Sequence, residues 1–321
     1  MSLRSILSTH IDKQAHLREM SNETIVELDE TFLRLPSCFT LHAQLRSKLS
    51  TENYSPLVSS SKLCGIVREN DDETRIVALA AYRVFLTTYD TIRFEIDDFI
   101  VDENERNHGL GTRLLQYLVE QAKQQHVRQI LIHCEPTNTR AHRFFFRFGL
   151  TIIMFEFNMQ GLHVLPENDQ IHAVDITDLP EEENERWLID AQDIYRQLRP
   201  HLPTDQPNYI KQIREICRTG PARMIVVVSK NESKEILGLA LYRFTENALY
   251  SQHIYCDDLV TNEIHRSSGV GRCLINSMKN EGIKRDIHRL ILDSGCQRGR
   301  AHKFYHREGF IISRFGFVMT M

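Results

Sequence analysis

The chain has 321 residues, of which 41% are hydrophobic and 26% charged, a composition that suits two globular domains of roughly 150 residues each. Its net charge of −4 gives no basic excess, so the sequence does not support nucleic-acid binding. The seven cysteines are scattered without a CxxC pair, which argues against a disulfide framework and against a zinc site. No apolar run approaches the ~18 residues of a membrane span and no signal-peptide core is visible, so we expect a cytoplasmic protein without a membrane partner.

In chain order, the sequence divides into four segments. Residues 1–20 are polar with scattered Leu and Ile and are predicted to form an N-terminal arm. Residues 21–160 form a first predicted domain, residues 161–170 a linker, and residues 171–321 a second domain. The division rests on an internal repeat, because residues 97–159 align without a gap on residues 257–319 with 17 identities in 63 positions. A period of 160 residues is too long for a solenoid, so the repeated unit is a whole domain.

Each repeat is predicted to contain front helices, an antiparallel meander, a strand–helix–strand unit, a short helix and a final strand. The front helices share a Gln-Leu-Arg-x-x-Leu motif that contains Arg46 and Arg199. In the second repeat, two β-rich runs flank a polar Lys-Asn-Glu-Ser-Lys turn, which predicts a hairpin. The predicted strands of that repeat are 224–229, 236–242, 253–260, 290–293 and 311–319, and its predicted helices are 270–282 and 301–307.

Both repeats contain an acidic strand followed by the pattern Arg-x-x-Gly-x-Gly and an amphipathic helix. Glycine lets oxygen atoms approach the main chain, and the positive end of a helix attracts anions, so this turn is typical of a diphosphate site. The pattern does not fit a Rossmann motif, because Leu114 and Leu274 stand where the third glycine is needed. The residues of the turn are Arg106, Gly109 and Gly111 in the first repeat and Arg266, Gly269 and Gly271 in the second.

Downstream of the turn, both repeats carry Ala-His-x-Phe-[Tyr/Phe]-x-x-x-Gly-[Phe/Leu]. Together the two motifs resemble the GNAT superfamily of acyl-CoA-dependent N-acetyltransferases, twice over and across almost the whole chain. The resemblance implies an α/β (mixed α+β) fold of two tandem GNAT-type domains, each a mostly antiparallel mixed sheet flanked by helices. It also implies acetyl-CoA (coenzyme A) as acyl donor and a primary amine of a small molecule or peptide as acceptor.

The same resemblance assigns coenzyme-binding residues in both repeats. The diphosphate is expected on backbone amides of residues 108–112 and 268–272, and the pantetheine arm on the main chain of residues 99–101 and 259–261. Asn138 matches an asparagine that the family often uses on pantetheine, whereas the second repeat has Arg298 there. The implied residues are Phe99, Ile100, Val101, Arg106, His108, Gly109, Leu110, Gly111, Thr112 and Asn138 in the first repeat, and Leu259, Val260, Thr261, Arg266, Ser268, Gly269, Val270, Gly271 and Arg272 in the second.

The two repeats differ at the position of the family's proton donor. In the family, a tyrosine four residues after the helix alanine commonly protonates the departing thiolate, which a phenol of pKa about 10 can do for a thiol of pKa about 8.5. Tyr305 stands at that position, although a buried core aromatic is its alternative role, and Phe145 cannot donate. Asp257 is the candidate base, and strand alternation points Asp258 to the opposite face. We therefore expect the second domain to be catalytic and the first, which departs from the family pattern, to bind coenzyme A weakly or only in a structural role.

Several alternatives stay open at this level. His142 and His302 are predicted to pack on or cap their helix rather than to contact substrate. Arg46 and Arg199 either bind a substrate carboxylate or form intramolecular salt bridges. For the whole chain, the alternative to an enzyme is a degenerate acyl-CoA-binding or regulatory protein. A third possibility is the role of tandem relatives that build thiol cofactors or transfer amino acids. The intact phosphate turns favour acyl-CoA over a charged tRNA, whose binding would require a basic surface. No metal site is implied.

Overall fold

The computed structural model describes residues 22–52, 54, 61–70, 73–89, 91–231 and 234–321. The predicted arm, residues 1–20, lies outside these residues. The chain divides into two compact units, each assembled from several stretches of sequence. The first unit consists of the described residues up to Arg83 together with Glu95–His126 and Asn247–Leu249, and the second consists of Val84–Phe94, Val127–Glu246 and Tyr250–Met321.

The first unit is built on an antiparallel sheet. Strand β1 pairs with β2 and β2 with β3, and β4 follows β3 in the strand order. One helix, α3, buries Leu110, Leu114 and Leu118 at four-residue spacing, which places them on one face of the helix. The elements are β1 (Glu23–Glu27), α1 (Glu30–Leu33), α2 (Pro36–Leu45), β2 (Lys62–Asn70), β3 (Glu73–Thr87), β4 (Thr91–Val101) and α3 (Leu110–Gln124), and the tip of the β3–β4 hairpin belongs to the second unit.

The second unit is a mixed sheet with helices on it. Its strand order is β5-β12-β6-β11-β10-β9-β8-β7. Strands β10 and β11 run parallel, whereas β12 is antiparallel to both β5 and β6, and β6 to β11. The elements are β5 (Gln129–Cys134), α4 (Thr139–Phe148), β6 (Thr151–Gln160), β7 (Ile171–Asp175), α5 (Glu181–Leu198), α6 (Gln206–Thr219), β8 (Ala222–Ser229), β9 (Ile236–Asn247), β10 (Ser251–Thr261), α7 (Val270–Lys284), β11 (Arg289–Gly295), α8 (Gly299–Arg307) and β12 (Ile311–Thr320).

The last strand of each repeat is exchanged within the second unit. Strand β12, which ends the second repeat, lies between β5 and β6 of the first, and β6 lies between β12 and β11. Phe155 and Phe315, which are equivalent in the two repeats, face each other in the β6–β12 ladder. Beside them, Arg314 donates from Nε to the buried carboxylate of Glu156 at 3.0 Å. The predicted ranges 21–160 and 171–321 therefore describe the repeats, and the compact units follow a different division of the chain.

The predicted fold class is confirmed, and the predicted elements of the second repeat are present with small shifts at their ends. The helix predicted for 270–282 extends to Lys284, and the one predicted for 301–307 begins at Gly299. The strand predicted for 236–242 continues to Asn247, because the hairpin is longer than the apolar run that indicated it. In the described residues, no helix combines the length and the apolar character that crossing a membrane requires.

Candidate active site

The predicted diphosphate turn of the second repeat, residues 266–271, follows a short 3-10 helix, Glu263–His265, and connects β10 to α7. We call it the diphosphate turn. Ser267 and Gly269 have φ of +72° and +93°, the left-handed region in which glycine is favoured. Gly269 is the N-cap of α7 and provides no side chain to bind the first amides of the helix. Those N–H groups are available to a ligand, and the helix dipole adds a preference for an anion.

The second glycine of the turn is required by a close approach of α8. A Cβ atom added to Gly271 would lie 2.8 Å from Cζ of Phe304, closer than real Cβ atoms come to other atoms. Phe304 itself is partly buried against the core of the second unit. The ring on α8 therefore sits directly over the first turn of α7, and together these two helices form one end of the site.

A cavity of about 1060 Å³ opens beside this turn, within the second unit. It is lined by most of the residues that the family resemblance assigns to the second repeat, whereas Ser268 is absent from the lining and its neighbour Ser267 is present. Ser268 donates instead from Oγ to the carbonyl of His265 at 2.6 Å. The predicted residues that line the cavity are Leu259, Val260, Thr261, Arg266, Gly269, Val270, Gly271, Arg272 and Tyr305.

The main chain of 259–261 is exposed to the cavity because two parallel strands separate. The ladder between β10 and β11 joins Ile254–Cys256 to Leu290–Leu292. Strand β10 continues beyond that ladder to Thr261, and β11 continues to Gly295. Past Cys256, the edge of β10 that would face β11 is open, and its amide and carbonyl groups can bind an extended chain.

Sequence reasoning missed two parts of this cavity. One is a set of cations on α8 and at its start, which includes Arg300, Lys303 and Arg307 at helical spacing. The spacing i, i+3, i+7 is a signal that could have found them. The other is Pro166–Asn168 of the predicted linker, which forms a wall of the cavity and has no sequence pattern that would have shown it.

Tyr305 lines the cavity and is 8% exposed. Its ring packs against Phe157 of β6 and Phe310, with centroid distances of 5.1 and 5.8 Å. Within the described part of the chain its hydroxyl has no hydrogen-bond partner, so it can bind a ligand. Burial raises the pKa of Tyr305 above that of an ordinary phenol, which keeps the hydroxyl protonated at neutral pH.

Asp257, the candidate base, is not among the residues that line the cavity. Its carboxylate accepts a hydrogen bond from Nε of Arg243 at 2.7 Å, and both side chains are buried. The first repeat contains the same pair at the same distance, Arg83 with Asp97. The structure therefore gives Asp257 a salt bridge inside the sheet, and its role as a base stays a prediction that the geometry does not support.

The neighbouring aspartates are also held by arginines. Asp258 binds the side chain of Arg199 and accepts a hydrogen bond from the hydroxyl of Tyr195 at 2.6 Å. In the first repeat, Asp98 accepts from Nε of Arg46 at 2.6 Å. Of the two roles considered for these arginines, the intramolecular salt bridge is the one that the structure contains.

The paired histidines pack, as predicted. Nε2 of His142 is 2.9 Å from the carbonyl of Glu135, and Nε2 of His302 is 3.0 Å from the carbonyl of Gly295. Each imidazole thereby ties the first turn of its helix to the end of the preceding strand. The ring of His142 also lies against aromatic rings of β12, and that of His302 against rings of β6.

The first repeat retains the turn but has no tyrosine at the position of Tyr305. Asn107 and Gly109 have φ of +71° and +86°, close to the values at Ser267 and Gly269. Nε of Arg106 donates to the carbonyl of Val101 at 3.1 Å, which holds the loop before α3. The other coenzyme-binding residues predicted for this repeat lie on three elements. Phe99 and Ile100 are on β4, His108 is in the loop, and Leu110, Gly111 and Thr112 are on α3.

Two other positions of the first repeat have structural contacts. Asn138 is the N-cap of α4, and its side-chain oxygen accepts from the amide of Ala141 at 3.1 Å. Binding of pantetheine by Asn138 therefore stays a prediction, with its oxygen already used in a cap. Phe145, at the position of Tyr305, is 4% exposed and packs against Phe317 with a centroid distance of 5.3 Å.

Comparison with known proteins places this chain in a family. The acetyltransferase (GNAT) family model matches residues 28–150 and again residues 183–310. The uncharacterized N-acetyltransferase YhdJ of Bacillus subtilis (strain 168) is 30% identical over 134 residues, which is 41% of this chain and 90% of that protein.

Two solved structures show the same fold over nearly the full length. A GCN5-related N-acetyltransferase from Sphaerobacter thermophilus has a TM-score of 0.63 at 14% sequence identity. The match covers 93% of this chain and 96% of the Sphaerobacter chain. A tandem GNAT protein from the clavulanic acid biosynthesis pathway has a TM-score of 0.57 at 12% identity, covering 93% and 98%. Since the family model matches most of the chain in two separate ranges, the chain belongs to the GNAT family of acetyltransferases, carries the family's domain twice and has acyl transfer as its chemistry.

Proposed function

We propose that the protein transfers an acetyl group from acetyl-CoA to a primary amine of a small molecule or peptide, and that the second repeat performs the chemistry. One observation carries the proposal. A single cavity is lined by Gly269 of the diphosphate turn, by the open edge of β10 at 259–261 and by Tyr305. The first repeat has phenylalanine at the position of that hydroxyl.

The cavity fits the coenzyme in size and charge. Its volume of about 1060 Å³ is at the upper end of the range for sites that hold a large ligand. Six cationic side chains line it against two carboxylates, and one of the carboxylates, Glu308, is already paired with Arg272 at 3.0 Å. This excess of positive charge suits a ligand with several phosphate groups. The six cations are Arg266, Arg272, Arg298, Arg300, Lys303 and Arg307.

Each part of the cavity would have a separate task. The amides at the start of α7 would hold the diphosphate, and the open edge of β10 at 259–261 would bind the pantetheine amides. Bound acetyl-CoA supplies a thioester whose carbonyl carbon an amine can attack. Tyr305 would then donate its proton to the departing thiolate. Its raised pKa keeps the phenol protonated at neutral pH and also makes it a weaker acid than an ordinary phenol. The amine must arrive neutral, so the rate should rise with pH through the pKa of the acceptor.

The main competing function is an acyl-CoA-binding protein without turnover. It is favoured by the salt bridge between Asp257 and Arg243, since the carboxylate predicted as the base is buried in an ion pair and does not line the cavity. An acceptor amine of low pKa, or a water that carries its proton away, would make a dedicated carboxylate unnecessary.

The test combines binding and turnover. Coenzyme A is titrated calorimetrically into the unsubstituted chain, Gly269→Ala and Gly109→Ala, and thiol release from acetyl-CoA is followed over a panel of polyamines, amino sugars and peptides. We expect Gly269→Ala to weaken binding at least tenfold and Gly109→Ala to have little effect, because the strain of a positive φ is the same in both but only one turn would hold the ligand. Binding without turnover on any amine would favour the competing function. Loss of binding only in Gly109→Ala would assign the site to the first repeat.

A further inference from the structure

The segment between the two repeats is bound along α7. We call residues 162–168 the strap. At one end, Leu162 packs against the core of the second unit, next to Gly282 near the end of α7. At its other end, Nδ2 of Asn168 donates to the carbonyl of Ser268 in the diphosphate turn at 3.2 Å. The strap thus runs the length of α7, from its C-terminal turn back to the turn that precedes it.

A buried asparagine fixes the middle of the strap. Asn276, on α7, is 0% exposed. Its Nδ2 donates to the carbonyl of Leu165 at 2.7 Å, and its Oδ1 accepts from the amide of Leu165 at 3.1 Å. Both hydrogen bonds go to main chain, so they fix the path of the strap whatever its side chains are. The equivalent position on α3 of the first repeat is Gln116, which is exposed.

The contact at Ser268 orients a donor of the diphosphate turn. In a planar trans peptide, the C=O and the following N–H point in opposite directions. When Asn168 holds the carbonyl of Ser268, the N–H of Gly269 is turned the other way. Gly269 itself lines the cavity, as do Pro166, Glu167 and Asn168.

We infer that the strap is part of the coenzyme site of the second repeat, with Asn168 as a positioning residue for the Gly269 amide and Asn276 as the residue that anchors the strap. This inference rests on the proposed function, because it presumes that the cavity binds coenzyme A. The connection between the repeats is then a wall of the binding site, and any change in its path alters affinity for the diphosphate part of the ligand.

The test compares Asn168→Ala and Asn276→Leu with the unsubstituted chain, and uses Gln116→Leu on α3 as the matched control. Calorimetry with coenzyme A should show affinity about 3–10-fold lower in both strap variants, the effect of losing one positioning hydrogen bond. The KM for S-acetylpantetheine, which lacks the diphosphate, should not change, whereas the KM for acetyl-CoA should rise. Gln116→Leu should bind coenzyme A as the unsubstituted chain does.

The outcomes separate the two proposals. If the unsubstituted chain binds no coenzyme A, the proposed function fails and the role of the strap fails with it. If it binds and both strap variants bind equally well, the cavity is the coenzyme site but the strap has no part in it. Equal losses for coenzyme A and S-acetylpantetheine would also overturn the inference, since they would indicate a general disturbance of the fold. Asn168 is exposed, so Asn168→Ala provides the test even if Asn276→Leu does not fold.

Discussion

The exchange of Tyr305 for phenylalanine tests the chemistry with little change to the fold. The hydroxyl has no partner in the described residues, and the first repeat already places a phenylalanine at the same position, 4% exposed, as Phe145. The change removes one oxygen atom and leaves the ring contacts with Phe157 and Phe310 in place. We expect the free energy of unfolding to change by less than about 1.5 kcal/mol, as for other shape-conserving changes.

The effect on the rate should be much larger than the effect on stability. Loss of a general acid typically lowers a rate by about 10²–10⁴-fold, which corresponds to roughly 3–5 kcal/mol in the barrier. The affinity for coenzyme A should stay the same, because the phenol acts only when the thiolate leaves. Thiol release at saturating acetyl-CoA with an amine acceptor measures the first quantity, and calorimetry measures the second.

The pH profile provides a second readout. Because burial raises the pKa of Tyr305, the rate of the unsubstituted chain should not decline from loss of this proton anywhere below about pH 10. Phe145→Tyr is the matched control and should leave turnover as it is. A Tyr305→Phe chain with an unchanged maximal rate would refute the acid role, and a decline of the wild-type rate between pH 7 and 9 from a tyrosine would contradict the effect of burial.

Three further predictions concern stability. Lys279→Met should stabilise the chain by roughly 1–3 kcal/mol in urea at neutral pH, because the buried Nζ has no hydrogen-bond partner in the described residues. Burial also lowers the pKa of Lys279, so this gain should shrink as pH rises towards 10.5, and a destabilised variant at neutral pH would be inconsistent with the account. Glu156→Gln should lower the free energy of unfolding by about 3 kcal/mol. Burial alone would raise the pKa of Glu156, but the charge of Arg314 outweighs that effect and lowers the pKa to about 2. That contribution is present above pH 4.5 and is lost as pH falls to about 2, so equal stability of the two chains at pH 7 would count against it. Gly238→Ala should lower the free energy of unfolding by about 1–3 kcal/mol in a denaturant titration, because its Cβ would lie 2.6 Å from the carbonyl oxygen of Val260; no loss would show that β9 and β10 can move apart freely.

The repeat predicted the fold because the features that identify it depend on residues that are close together in sequence. A strand, an Arg-x-x-Gly-x-Gly turn and a helix are neighbours in sequence, and the positive φ of Gly269 needs no distant contact. The same holds for His302, which ties its own helix to the strand before it. Such features can be predicted from the spacing of residue types along the chain.

The exchanged strands could not be predicted in this way. Phe155 and Phe315 have the same alternation whether each strand pairs within its own repeat or with the other one. Register along a strand is set by which face is buried, and both arrangements bury the same faces. Which strands β6 and β12 pair with depends on which strand edges remain unpaired elsewhere in the sheet. A local sequence pattern does not indicate this.

The site was predictable where it is built from main chain and less so where it is built from charged side chains. Asp257 had the right residue type in the right strand, but its direction is decided by Arg243, fourteen residues earlier on β9. The 160-residue alignment places Arg83 opposite Arg243, so a search for paired charges in the two repeats would have found both salt bridges. The strap offers no such signal, since Asn168 contacts Ser268 across a hundred residues of chain.

A crystal structure with bound coenzyme A tests the central claim most directly. The account predicts the diphosphate on the amides that begin α7 at Gly269, the pantetheine along Leu259–Thr261 and the sulfur next to the hydroxyl of Tyr305. Coenzyme found only at the turn of the first repeat, or a sulfur far from Tyr305, would contradict it.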